Sequence, residues 1–261
     1  MRRIKLTLEF DGTHFYGWQV QAKTGERTVQ GVIEAALSDI PGARPKVMGA
    51  GRTDAGVHAL AMVAHYDTED AIPAKKVAKA LNARLPSDVR VLHAEEVGPQ
   101  FESQFSCRYR RYLYRMRLVR DSLETAALER HRVLFLSQRL DVEAMQAAAS
   151  YFEGTQDFAA LATQETRGTV RTVYLCRLDA QGRDLTLHIA ADGFLRNMVR
   201  TVVGTLLYVG EGKLQPRDVA PILESRDRKK AGPNVPPHGL YFVEAGYEAW
   251  GAERLDDSPD S

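Results

Sequence analysis

The chain has 261 residues, of which 44% are hydrophobic, and its 35 basic and 34 acidic side chains leave a formal net charge of +1. This length and composition are typical of a globular protein that buries a substantial core in one large domain or two ordinary ones. No apolar run approaches the roughly 20 residues that cross a bilayer, and the N-terminus alternates like a strand rather than a signal peptide. We therefore expect a cytoplasmic protein without a membrane segment.

The first predicted half, residues 1–105, has the hydrophobic periodicity of strand, helix, strand, strand, helix, strand. The predicted strands are Ile4–Phe10, Lys46–Ala50, Met62–Tyr66 and Val89–Val97, and the predicted helices are Thr28–Ile40 and Ala74–Leu85.

Residues 106–247 repeat that order. The predicted elements are a strand Arg110–Val119, a helix Val142–Phe152, strands Thr169–Leu178 and Asp184–Ala190, helices Phe194–Val209 and Pro216–Ser225, and a last strand Leu240–Tyr247. Two split βαβ units predict an α+β fold of two ferredoxin-like halves, with mostly antiparallel sheets joined around a central cleft. Residues 248–261 form an acidic tail, and we expect it to be disordered.

The segment Gly49–Ala59, GAGRTDAGVHA, places one acidic residue in a loop with little bulk. Glycines at 49, 51 and 56 permit positive φ angles and the close approach of another molecule, and Arg52 puts a permanent cation two residues from Asp54. A tight turn with a surface ion pair would use the same residue types. We single out Asp54 as the candidate for chemistry.

A block of arginines without an acid among them opens the second half, at positions 108, 110, 111, 115, 117 and 120. On the predicted strand Tyr112 shares one face with Arg110, while Arg111 and Arg115 lie on the other. Interleaved rings and guanidinium groups suit a nucleic acid, because rings stack on bases and arginines hold phosphates. An ordinary strand with core tyrosines and a solvated charged face fits the pattern equally well.

Arg200 lies in the predicted helix Phe194–Val209, away from the middle of its apolar stripe. It is either exposed or directed into the cleft. In the second case, a contact with Asp54 would keep that carboxylate ionised.

Metal and cofactor motifs are missing from the sequence. Cys107 and Cys176 stand alone and are expected to be buried thiols, and the histidines lack the spacing of metal ligands. There is no zinc-deaminase, Walker or GxGxxG motif. We predict neither a metal nor a cofactor, so any chemistry would depend on side chains alone.

Six segments, in order, resemble the tRNA pseudouridine synthase A family. They are FDGTHFYGWQVQ (Phe10–Gln21), TVQGVIEAAL (Thr28–Leu37), GAGRTDAGVHA, the RRYLY strand, FLRNMVRTVVG (Phe194–Gly204) and HGLYFV (His238–Val243). The resemblance extends to about Tyr247, and GRTDAGVHA is its most specific part. It implies the pseudouridine synthase fold and the conversion of uridine to pseudouridine at positions 38 to 40 of the tRNA anticodon arm, by a homodimer without a cofactor.

The same resemblance implies roles for three side chains. Asp54 matches the nucleophilic aspartate, Tyr112 the tyrosine that contacts the substrate, and Arg200 the arginine that pairs with the aspartate. Since a stacked base is out of reach, the uridine must be flipped, and Arg52 is the candidate to fill the vacated space.

Candidate substrate ligands on the basic strand are Arg110, Arg111 and Arg115, together with Tyr112. The isomerisation breaks the bond from C1′ to N1, turns the uracil and joins C1′ to C5, which a single carboxylate can serve. Attack on C6, attack on C1′ and removal of the C2′ proton all remain open for Asp54. The choice among the three uridines is open too, as are the tRNAs modified and the role of the tail.

Two other functions account for part of the sequence. A non-catalytic RNA-binding protein of two RRM-like halves would explain the sheet pattern and the Arg/Tyr strand, but not an acid at the centre of a basic site that binds phosphate. A metal-dependent nuclease would need a second carboxylate near Asp54, which the motif lacks.

Overall fold

A computed structural model describes residues 1–21, 25–121, 124–163 and 168–251. The chain divides into two compact units. The first comprises Met1–Cys107 and Tyr241–Tyr247, and the second comprises Arg108–Leu240 and the segment that begins at Glu248. Both combine helices with a mixed sheet, so the fold is α+β.

The first unit is built on a sheet in the order β4-β1-β3, and both β2 and β10 pair with the other edge of β3. Its elements are β1 (Arg2–Phe10), α1 (Val29–Ser38), β2 (Met48–Gly49), β3 (His58–Thr68), α2 (Ala74–Asn82), β4 (Val89–Val97) and β10 (Leu240–Gly246). The pairs are antiparallel except for β10 with β3, where Tyr241 lies opposite His58 in parallel.

The sequence explains the core of this unit. Ile4, Leu6 and Leu8 alternate along β1 and are fully buried on one face of the sheet. In α1, Val29, Ile33 and Leu37 lie about one turn apart and are also fully buried. The Thr28 side chain accepts a hydrogen bond from Gly31 N and so caps the start of that helix.

The second unit has a sheet in the order β5-β9-β8-β7, with β6 parallel to β5. Its elements are β5 (Tyr109–Leu118), β6 (Leu134–Leu136), α3 (Val142–Ala149), β7 (Gly154–Asp157), β8 (Val170–Gln181), β9 (Asp184–Ala191), α4 (Met198–Gly210) and α5 (Val219–Ser225). α3 packs on β8 and α4. α4 is buried on nearly every side, because its sequence TVVGTLLYVG is apolar all round.

Several boundaries differ from the sequence-based ones. α4 begins at Met198 rather than Phe194, because Asn197 adopts a left-handed conformation (φ 64°) that interrupts the helix. β6 and β7 were not predicted, since strands of three and four residues are too short to show periodicity. β10 was placed with the second half, but it belongs to the first unit, where it pairs with β3.

A smaller expectation also needs correction. Cys107 is only half-buried, whereas Cys176 is buried and burial raises the pKa of its thiol. Within the tail that was expected to be disordered, the ring of Trp250 stacks on Tyr174 at 5.8 Å and meets Tyr109 edge-on at 5.0 Å. Residues 252–261, the remainder of that tail, lie outside the described residues. Among the described helices, none has the length and apolar character of a membrane span.

Candidate active site

The Gly49–Ala59 motif leaves the end of β2 and enters β3. Gly49 is the last residue of β2 and β3 begins at His58, so residues 50–57 of the motif form a loop between the two strands. Asp54 is half-buried in this loop and Arg52 is exposed. The carboxylate is therefore carried by a loop anchored at both ends in one sheet.

The backbone around Asp54 is held by the segment that follows β1. Trp18 N donates to Thr53 O (3.1 Å), and Gly56 N donates to Phe15 O (3.3 Å). Val57 N closes a turn on Asp54 O (3.2 Å). These bonds lie on both sides of Asp54 and fix the path of its backbone.

Glycines allow the segment that follows β1 to lie close to the Asp54 loop. A Cβ on Gly17, whose φ is 83°, would lie 2.5 Å from Thr53 O, and one on Gly12 would lie 2.0 Å from Val57 O. Of the motif's own glycines, Gly56 has the expected positive φ (80°). Gly49 instead makes room for the indole of Trp18. A Cβ on Gly49 would lie 2.5 Å from that ring, so the space is filled by Trp18 and not by another molecule.

His58, the first residue of β3, connects that strand to the segment that holds the Asp54 loop. Its ring is buried, its Nδ1 accepts a hydrogen bond from Gly12 N (3.0 Å), and Asp11 Oδ1 lies 3.2 Å from the same nitrogen. The ring stacks on Tyr241 with centroids 4.7 Å apart. Sequence reasoning missed the supporting residues Asp11, Gly12, Gly17 and Trp18, although FDGTHFYGW already displayed them.

Tyr112 lies in β5 of the second unit and is 7% exposed, with its ring edge-on to Phe194 at 5.1 Å. Tyr114, on the same face, is fully buried and donates to Pro236 O (2.7 Å). Burial raises the pKa of the Tyr114 phenol. Tyr114 is thus a core residue, whereas Tyr112 keeps a small accessible surface.

The basic strand does not present one solvated charged face. Arg111 is buried at 6% exposure, Arg110 is half-buried and donates to Asp192 O (3.0 Å), and Arg115 is exposed. Arg117 forms ion pairs with Glu129 and Asp184. The alternative of an ordinary strand with a solvated charged face is therefore wrong, because β5 is covered on both faces along most of its length.

Arg200 is in the first turn of α4, and its guanidinium is oriented by two neighbours. Nε donates to Val235 O (2.7 Å), and Nη1 donates to Asn197 Oδ1 (3.1 Å). The loop that supplies Val235 packs tightly on the helix, since a Cβ on Gly204 would lie 1.8 Å from Pro233 O. The arginine is therefore half-buried with a defined orientation.

The structure distributes the candidate residues over both units. Arg52 and Asp54 belong to the first, and Tyr112, Arg200 and the basic strand belong to the second. Within the described ranges, no group of three or more His, Cys, Asp or Glu side chains has the arrangement of a metal site.

The profile of the family described as "tRNA pseudouridine synthase" matches residues 7–109 and 148–248. A tRNA pseudouridine synthase A from Thermus thermophilus is 48% identical over 251 residues, covering 95% of this chain and 97% of that protein. Proteins of the same name from Acetivibrio thermocellus and Caldicellulosiruptor bescii are 43% and 42% identical, covering 95% of this chain and 100% of each relative.

The chain belongs to the tRNA pseudouridine synthase A family. The two segments that match the family profile include Asp54 with its supporting Gly12–Trp18 segment, and Arg200 with the Val235 loop. Tyr112 and Arg115 lie between those segments, but within the span aligned with the relatives.

Among solved structures, a Cbf5-Nop10-Gar1 complex overlaps 78% of this chain and 45% of the compared chain, with 13% identity and a TM-score of 0.35. This likeness is too low to support an argument. The family assignment rests on the sequence relatives.

Proposed function

We propose that this protein isomerises uridine to pseudouridine at positions 38, 39 and/or 40 in the anticodon stem-loop of tRNA. The observation that carries the proposal is the Asp54 loop. It presents a carboxylate on a backbone held by hydrogen bonds on both sides, in a chain that aligns over 95% of its length with a tRNA pseudouridine synthase A. Such preorganisation is what a reacting group requires.

The proposed chemistry needs one carboxylate. Asp54 acts on the flipped uridine while the bond from C1′ to N1 breaks, the uracil turns and C1′ joins C5; the C5 proton then leaves and N1 takes up a proton, so that the atoms balance. Arg200 is proposed to pair with Asp54, which fits an arginine whose orientation is fixed by Asn197 and Val235. That pairing would offset the desolvation of the carboxylate.

Tyr112 is proposed to stack on the uracil and to help remove the C5 proton. Its limited exposure fits a residue that meets one flipped base rather than the RNA surface. Arg52 is exposed on the Asp54 loop and is proposed to fill the space that the flipped base vacates.

The phosphate contacts are proposed for Arg115 and Arg110. Arg115 is exposed, and Arg110 is half-buried at the start of the same strand. Arg111, the third candidate, is buried, and a buried guanidinium fits a positioning role better than a direct phosphate contact.

We also infer the finer fold, two ferredoxin-like halves whose mostly antiparallel sheets join around a central cleft, as in the pseudouridine synthase fold. The order β4-β1-β3-β2 of the first unit is that of a split βαβ unit, and β5-β9-β8 provides three of the four strands of a second. We also propose that the protein is cytoplasmic, forms a homodimer and acts without a cofactor.

The direct test is to incubate an unmodified tRNA transcript with the protein and to map pseudouridine at each position, with and without EDTA. We expect product confined to positions 38 to 40 and unaffected by EDTA. Binding without product would support the RNA-binding alternative, and product that disappears with EDTA would contradict chemistry by side chains alone.

A further inference from the structure

A shallow depression of about 470 Å³ lies beside the Asp54 loop in the first unit. It is lined by residues 13–16 of the supporting segment, by Glu26 and Arg27, and by Ala55 and Gly56. That volume lies within the usual range of small-ligand sites. Because Ala55 and Gly56 directly follow Asp54, a group bound in the depression would lie next to the reactive loop.

The walls of the depression are fixed before anything binds. Tyr16 N donates to Arg27 O (2.8 Å), and Gly56 N donates to Phe15 O (3.3 Å). The Arg27 guanidinium makes two hydrogen bonds of 2.8 Å to Asp88 and lies 4.0 Å from the centroid of the Phe15 ring. A preorganised site loses little entropy when its ligand binds.

The chemistry of the lining favours a nucleobase over a phosphate. Tyr16 is 51% exposed, so a large aromatic surface is available for stacking. Glu26 is exposed and brings a carboxylate, which repels a phosphate but accepts hydrogen bonds from the N–H groups of a base edge. The arginine in the lining, Arg27, already forms an ion pair with Asp88.

We propose that this depression is a subsite for a nucleobase that flanks the reacting uridine in the substrate tRNA. Tyr16 is the stacking platform, and Glu26 accepts from the edge of the base. The identity of the RNA rests on the proposed function. A base held here would fix the RNA strand relative to Asp54, since two residues of the Asp54 loop form one wall of the subsite.

The test combines substitutions in the protein with single abasic nucleotides at each position of the tRNA anticodon stem-loop. Tyr16→Ala should weaken binding of the intact tRNA by about 5- to 150-fold, the range measured for one stacked base, while Tyr16→Phe should retain most of the affinity. One abasic position should weaken binding to the parent by a similar factor and have no further effect on Tyr16→Ala.

Tyr151→Ala is the matched control, because Tyr151 is 42% exposed and does not line the depression. It should keep the parent's response to every abasic position. Parental affinity of Tyr16→Ala would overturn the proposal, as would sensitivity of that variant to the same abasic position as the parent. This experiment measures tRNA binding and not turnover. If the parent bound tRNA without forming pseudouridine, the proposed function would be contradicted, but the abasic series would still test the subsite.

Discussion

Single residues in this protein depend on their immediate neighbours for their roles, and the neighbours are often distant in sequence. Asp54 stood out from sequence as the lone acid of its loop, but Gly17 and Trp18, which hold that loop, did not. Arg117 looked like part of an RNA-binding block until the structure paired it with Glu129 and Asp184. Residue type and spacing therefore singled out the candidate reactive group, and only tertiary contacts separated the exposed Arg115 from the ion-paired Arg117.

The two proposed roles of Tyr112 are separable by substitution. Tyr112→Phe keeps the stacking ring but removes the exchangeable proton, so turnover should fall by about 100-fold or more with nearly unchanged tRNA affinity. Tyr112→Ala should weaken both. Single-turnover rates and tRNA affinity measured on the three proteins check this, and parental turnover in Tyr112→Phe would reject the proton-transfer role.

Arg115 is expected to contact a phosphate because it is the exposed arginine of its strand. Arg115→Gln should weaken tRNA binding and reduce the slope of log affinity against log salt by about 0.7 to 0.9. Arg117→Gln is the control on the same strand, since its charge is already paired, and it should keep the parental slope. Equal slopes for all three proteins would show that Arg115 does not contact the RNA.

At the scale of elements, strongly periodic segments were predicted well. β4 has the predicted bounds, and α1, α2, β1, β5 and β9 were placed to within a few residues. The errors arose where local rules failed: Asn197 adopts a left-handed conformation, so α4 begins only at Met198, and β10 pairs with a strand about 180 residues earlier. Neither feature leaves a periodic signal in the sequence.

The supporting segment contacts the Asp54 loop closely. We therefore expect a single methyl group added at Gly17 to lower the catalytic rate. Gly17→Ala would place a Cβ 2.5 Å from Thr53 O at a positive φ, so the loop must move. We expect the catalytic rate constant to fall by about tenfold or more, since small displacements of reacting groups are costly.

Gly182→Ala is the control for backbone strain. Gly182 also has a positive φ (62°), but a Cβ there meets nothing within 4 Å. This variant should lose about 1 kcal/mol of stability and keep the parental rate. If both variants were equally active, the supporting segment would have no role in positioning Asp54.

At the scale of the whole molecule, the stability of the fold should depend on His65. Its ring is buried, Nδ1 accepts from Ser103 N (3.2 Å), and burial lowers the pKa of the imidazole. Below about pH 6.5 the unfolded chain takes up a proton that the folded chain resists, so stability should fall as the pH decreases from 6.5. The slope for one proton is at most about 1.4 kcal/mol per pH unit.

Denaturant midpoints at pH 7.5, 6.5 and 5.5 measure this effect. His65→Gln should remove that part of the pH dependence, because a glutamine amide does not titrate. Carboxylates affect the stability in a separate and more acidic pH range. Arg3 lowers the pKa of Asp67 and Arg27 lowers that of Asp88, so the stability from these pairs is lost only as the pH falls below about 4. If the parent and His65→Gln lost the same stability between pH 6.5 and 5.5, His65 would be excluded as the source of that loss.

Asp54 is proposed to perform the chemistry of a tRNA pseudouridine synthase, and one substitution decides whether it does. Pseudouridine formation and tRNA affinity are measured for the parent and for Asp54→Asn, which keeps the size of the side chain and removes its charge. We predict that Asp54→Asn forms no product above the uncatalysed background and binds tRNA with an affinity close to that of the parent. Measurable turnover by Asp54→Asn would contradict it.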